Sequence, residues 1–176
     1  MKKIIFVYGA IAGCIVIGSI LLGFAAQDKL AVFTTQWFGY LIMFVALSLI
    51  FVGVKRYRDI ELGGVITFAR ALGPGLGIAI VAGVCYVIGW EMYLAATDYA
   101  FIDLYTQGVI DAKRESGVTG EELEQAIASM EQLKTQYANP LFRLPMTFLE
   151  IFPVGLLIAL VSAALLRNPR FLPAQS

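Results

Sequence analysis

An all-α integral membrane fold, a four-helix bundle with an extramembrane helical hairpin between its third and fourth spans, is what three features of the sequence predict. The chain of 176 residues is 59% apolar and 15% charged, against roughly 45–50% and about 25% for soluble domains. Its apolar residues gather into four long stretches almost free of charge. The one long charged stretch, 97–143, shows helical spacing and no alternation of the kind a strand would need. A globule of this size leaves roughly a third of its unfolded surface in water. So much apolar surface therefore requires lipid as the solvent.

The first span covers about residues 4–26, uncharged from Ile4 to Ala26, and exceeds the roughly 20 residues that a hydrocarbon core demands. The second covers about 32–54 and places Trp37 and Tyr40 near an interface. The third, about 71–95, contains one acid, Glu91; the fourth, about 144–166, also contains one, Glu150. Lys2 and Lys3 before the first span resemble the start of a cleaved signal, but the apolar run outlasts the roughly 7–15 residues of one. Cys14 ends a short lipoprotein-like motif, yet the residues after it stay apolar. Retention of the first span is the expectation.

Eight cations, namely Lys2, Lys3, Lys55, Arg56, Arg58, Arg70, Arg167 and Arg170, fall on one side of this threading, and five fall on the other. The side richer in Lys and Arg is cytoplasmic, which puts both termini there. Lys55, Arg56 and Arg58 are juxtamembrane and suit anionic lipid headgroups. Gly63 and Gly64 mark a turn, after which Thr67 can cap the lead-in to the third span.

Where lipid removes the hydrophobic force between helices, small residues spaced four apart become the packing signal. Gly9 and Gly13 form one such set, Ala71, Gly75, Ala79 and Gly83 a second, and Gly155, Ala159 and Ala163 a third. Packing within one bundle is the simpler reading; an oligomer interface is the other. Cys14 and Cys85 read as small packing residues.

In the charged segment, Thr119 and Glu122 have the spacing of a capping box. Leu123, Ala126, Met130, Leu133 and Tyr137 recur at three- and four-residue intervals, the pattern of a helix lying along another. The partner is the stretch 98–115, a continuation of the third span, with 116–120 as the turn. Asn139 and Pro140 return the chain to the membrane.

Chemistry has few places to reside. There is no His, and thirteen Lys and Arg balance thirteen Asp and Glu, so His-based triads and a net basic field for nucleic acid are both missing. No catalytic set, no cofactor and no nucleic-acid partner are expected; whether a metal binds is left open. Carboxylates inside a membrane are functional candidates by default. Glu91 lies about five residues (~7.5 Å) and Glu150 about six residues (~9 Å) inside their spans at 1.5 Å per residue. Asp98 follows Glu91 by seven and Arg143 precedes Glu150 by seven, so each pair is expected to share a helical face. The site Glu91, Glu150, Asp98 and Arg143 could bind a cation or relay protons; the simpler alternative has each glutamate bonded to a Trp, Tyr or Thr such as Trp90, Tyr93 or Thr147. Pro153 adds a local distortion to the fourth span.

Gly53, Lys55, Arg56, Tyr57, Arg58 and Asp59, with Gly63, Gly64, Ile66, Thr67 and Phe68, then Trp90, Tyr93, Asp98, Phe101 and Tyr105, and finally Pro140, Thr147, Glu150, Pro153, Val154, Gly155 and Leu160, resemble the bacterial membrane protein family of domain of unknown function 4199. The likeness runs through nearly the whole chain and rests on the order of these residues. It implies a bacterial four-span inner-membrane protein and carries over no catalytic residue. The sequence thus reads as a non-enzymatic accessory or interaction protein whose partners are the bilayer and a membrane protein or further copies of itself. The alternative is a small ion-binding or transport protein using Glu91 and Glu150; a lipid-modifying enzyme is weakest, since Ser48 and Ser162 lie at other depths.

Overall fold

The computed structural model describes residues 1–26 and 36–174. These fold into helices α1 (Lys2–Ala26), α2 (Gln36–Leu47), α3 (Leu49–Glu61), α4 (Phe68–Ala96), α5 (Ala100–Glu115), α6 (Glu121–Tyr137) and α7 (Pro140–Leu166). Residues 32–35 of the expected second span, and the side chain of Trp37, lie outside the described residues. Four segments are long and apolar enough to cross a membrane: Lys2–Phe24, Gly39–Glu61, Phe68–Ala96 and Pro140–Leu166. Only 28% to 44% of each apolar window is buried against protein, and Phe6, Leu22, Phe44, Ile88 and Leu157 are all exposed. A soluble helix turns one stripe inward and charges outward; here the outward face is as apolar as the inward one. The chain is an all-α, multi-pass membrane protein.

Among the described residues of the second span the helix is interrupted only at Ser48, whose hydroxyl donates to the Val45 carbonyl at 2.6 Å. Such a bond back to the preceding turn competes with the backbone ladder and bends a helix locally. Past the expected end of the span near residue 54, α3 continues, carries Lys55, Arg56 and Arg58 in its own last turns and stops at Glu61. Gly63 and Gly64 then turn the chain with φ of 64° and 90°, and the Thr67 hydroxyl accepts from the Arg70 N–H at 3.4 Å as α4 begins.

The structure divides into two compact units, Met1–Gly89 with Phe148–Ser176, and Trp90–Thr147. In the first, helices meet where side chains are missing. A Cβ built on Gly9 would lie 2.6 Å from the Val81 Cβ, and one on Gly13 would lie 2.6 Å from the Ala82 carbonyl oxygen and 2.7 Å from the Cys85 Cβ. Reciprocally, Gly77 of α4 receives Ile5 and Gly89 receives Ile17. The contacts Ile5–Gly77, Gly9–Val81, Gly13–Cys85 and Ile17–Gly89 advance four residues at a time in the same direction, so α1 and α4 run parallel. Gly75 faces Ala159 and Gly155 faces Ala79, a register that advances in opposite directions, so α4 and α7 are antiparallel. All three small-residue sets therefore pack inside the chain.

In the second unit α5 and α6 form an antiparallel hairpin. Asp103 near the start of α5 pairs with Lys134 near the end of α6 at 2.5 Å, and Lys113 near the end of α5 pairs with Glu122 near the start of α6 at 3.9 Å. The Asp103 carboxylate raises the Lys134 pKa above its ordinary value. Leu123, Ala126, Ile127, Met130, Leu133 and Tyr137 are the residues of α6 that are not exposed, which adds only Ile127 to the face read from spacing. The expected capping box does not form: α6 starts one residue later, with Gly120 as its cap at φ 64° and no side-chain bond.

Candidate functional site

The third span does not run on into the hairpin as expected. α4 stops because the Tyr99 N–H closes back on the Leu94 carbonyl at 2.8 Å, with Asp98 in the left-handed region at φ 48° and Tyr99 following at 57°. This is a Schellman-type stop, in which the residue after the cap is usually glycine. The end of α5 shows the usual form, with Gly117 at φ 85° and the Val118 N–H bonded to the Lys113 carbonyl at 3.1 Å. Asp98 does the same job with a side chain, at a steric cost of order 1 kcal/mol. Having left the helix, it no longer shares a face with Glu91, which corrects the heptad reading of that pair.

Behind this stop lies an aromatic cluster. Trp90 packs edge-on against Phe101, centroids 4.8 Å apart, and lies tilted against Tyr93, centroids 5.3 Å apart. Its indole N–H donates to the Tyr137 hydroxyl at 2.8 Å, so the polar tip of a buried Trp finds a partner as it must. Tyr137 thereby joins the last turn of α6 to the last turns of α4.

Arg143 completes the arrangement. Asn139 caps α7 by accepting the Leu141 N–H at 3.0 Å, and Pro140 takes the first helical position, where a missing N–H costs nothing. That fixes Arg143 one turn inside, 4% exposed. Its Nε and Nη2 donate to the two carboxylate oxygens of Glu91 at 2.7 Å each, and its Nη1 donates to the Tyr137 carbonyl at 2.9 Å. The guanidinium also stacks over the rings of Tyr99, 5.0 Å to the centroid, and Tyr137, 5.7 Å. A bidentate pair of this kind is both strong and directional. Beside it opens a cleft of about 410 Å³ lined by Asp98, Tyr99, Asp103, Lys134, Tyr137 and Arg143 among others.

Glu150 is engaged separately. The Tyr86 hydroxyl donates to its Oε2 at 3.0 Å, and the carboxylate borders a smaller cleft of about 240 Å³ with Gly39, Tyr40 and Met43. The two glutamates that residue counting put at one level thus have different partners, an arginine for one and a phenol for the other. Arg143, expected on the face of Glu150, serves Glu91. Among the described residues no group of three or more Cys, Asp or Glu is placed to hold a metal ion. Tyr86 was missed in the sequence; a hydroxyl midway along an otherwise apolar span was the available signal.

The three juxtamembrane cations also separate. Arg56 is exposed and Lys55 half-buried, pairing with Asp59 at 2.5 Å. Arg58 is fully buried and cannot meet a headgroup, which corrects that expectation. Its Nε donates to Asp59 at 2.6 Å, its Nη1 to the Phe171 carbonyl at 2.9 Å, and its Nη2 to the Leu172 carbonyl. The segment after α7 is thereby clasped to α3, and Phe171 packs edge-on against Phe51 with centroids 6.3 Å apart.

No curated protein and no solved structure matches the chain. The residues that build these features lie almost entirely within 7–168, and over that range the chain matches the family model described as Protein of unknown function (DUF4199), the family to which it therefore belongs.

Proposed function

We propose that the chain is a non-enzymatic accessory protein of the bacterial inner membrane, with both termini in the cytoplasm and its helical hairpin α5–α6 presented to a membrane-protein partner on the other side. The cation count supports the orientation: eight Lys and Arg against five. The single observation that carries the role is the Arg143–Glu91 pair. A carboxylate with both oxygens held by a guanidinium has neither free to coordinate an ion. What it does well is fix the base of a hairpin whose exposed surface is mostly polar, with Leu104 and Tyr105 the large hydrophobic side chains that also face outward. From Asp98 to Arg143 eight acids accompany four bases.

Thiol labelling tests the orientation. A cysteine at Ser129 should react with a membrane-impermeant maleimide in intact cells, whereas one at Asn168 should react only after permeabilisation; the reverse pattern would overturn the threading. Photocrosslinkers at Gln107 and Gln125 should give a discrete adduct that is lost when Arg143→Met loosens the hairpin. Absence of any adduct from either position would sink the partner reading.

Ion binding at Glu150 is the second reading, favoured by the cleft beside that carboxylate. A thermal midpoint that responds to Na⁺, Ca²⁺ or pH in the parent chain but not in Glu150→Gln would support it; identical responses would remove it.

A further inference from the structure

Four helix ends, of α1, α3, α4 and α7, converge at one pole of the first unit. The amino terminus of Met1 is ion-paired with Glu61 at the end of α3. Arg58 clasps the carbonyls of Phe171 and Leu172 beyond α7, and a Cβ on Gly64 would meet the Ala174 Cβ at 3.2 Å. Only six residues, 62–67, then separate α3 from α4.

This convergence sorts charge. Lys2, Lys3, Arg56, Arg70, Arg167 and Arg170 are all exposed here, and none has an ion-pair partner among the described residues. The two acids of the pole are already engaged, Asp59 with Lys55 and Arg58, and Glu61 with the amino terminus. Exposed apolar side chains lie among the cations: Ile60, Val65 and Phe68, with Leu172 in the clasped tail.

We propose that this pole is a docking surface for anionic phospholipid, in which Arg167 and Arg170, drawn in by the clasp, stand where Arg58 had been expected and Arg58 acts as a positioning residue. Clusters of four to eight Lys and Arg just beyond a membrane helix attract anionic headgroups, and arginine can grip a phosphate with two parallel bonds. Interspersed apolar side chains favour a phosphate carried on acyl chains over a free one, because a single lipid can place its head on the cations and its chains on the spans. The inference needs only the membrane spans and involves no residue of the hairpin, so its failure and that of the partner reading are separate events.

The test uses the full chain in mild detergent. Adding phosphatidylglycerol should raise the thermal midpoint by about 5 °C more than phosphatidylethanolamine with the same acyl chains. The difference should shrink in about 0.5 M NaCl, where the screening length falls to roughly 4 Å. The triple variant Arg56→Gln, Arg167→Gln, Arg170→Gln should lose the difference while keeping its lipid-free midpoint, and the matching Lys triple should retain at least half of it. Equal effects of the two lipids would overturn the proposal, as would an undiminished difference in the Gln triple. Reproduction of the whole shift by millimolar inorganic phosphate would do the same, because the surface would then be reading a free anion.

Discussion

In the first unit the helices touch where atoms are absent, at Gly9, Gly13, Gly75 and Gly155; in the second they touch through directed polar contacts, the Arg143–Glu91 pair and the Trp90–Tyr137 hydrogen bond. Lipid competes with a helix for apolar contact as well as another helix does, so in the spans only close shape matching favours protein over lipid. A charged pair at the end of a span is different. Little in its surroundings can replace the partner, so each half depends on the other. The first unit should therefore be sensitive to added volume and the second to lost partners.

The largest expected effect is on the polar side. Arg143→Met leaves Glu91 without its cation, and breaking a buried pair costs about 3–5 kcal/mol. The Glu91 side chain is 25% exposed, so the lower end of that range is expected. Thermal unfolding in detergent measures it, and combining Arg143→Met with Glu91→Gln should recover part of the loss; additive losses would mean the pair is not coupled. Second comes Gly13→Ala, where the new methyl meets backbone, at about 2 kcal/mol of overpacking. Gly18 has nothing within 4 Å, so Gly18→Ala should instead stabilise by about 0.5–1 kcal/mol. Equal outcomes at the two glycines would break the shape argument.

Arg58→Met sharpens the comparison, since it removes one of the polar contacts in the otherwise shape-packed unit. About 1–2 kcal/mol is expected from lost carbonyl bonds, together with faster tryptic cleavage at Arg167 and Arg170; an unchanged cleavage rate would deny that the clasp holds the tail. Asp98→Gly should stabilise by about 1 kcal/mol, because glycine adopts the left-handed stop without strain. Smallest is Lys134→Met, an exposed pair whose loss should not move the midpoint measurably at neutral pH. The raised Lys134 pKa means the pair's contribution is complete at neutral pH and fades only as alkaline pH passes through that raised value. A midpoint clearly lowered in the variant at neutral pH would contradict this.

Much of the architecture was legible because it follows periodicity. The spans follow from apolar run length, the inward face of α6 from alternating three- and four-residue steps, and the seams from small residues four apart. The site was less so. Heptad counting assumed that Asp98 and Arg143 belonged to the helices of Glu91 and Glu150, and it failed at Asp98 because α4 stops without the glycine that normally announces a stop. Arg143 was identified as a site residue, but its partner comes from 52 positions away, and local spacing says nothing of that. Arg58 looked like its neighbours Lys55 and Arg56. Only carbonyls more than 110 positions further on draw it inside.

The interlocked seam between α1 and α4 also limits how this molecule can move. Advancing α1 by one helical turn, about 5.4 Å, would drive Ile5 onto Val81 while leaving Gly13 opposite Gly89, a collision and a hole in the same step. A piston stroke along that seam is thus blocked at both ends, and any working motion has to rotate the two helices together as one rod.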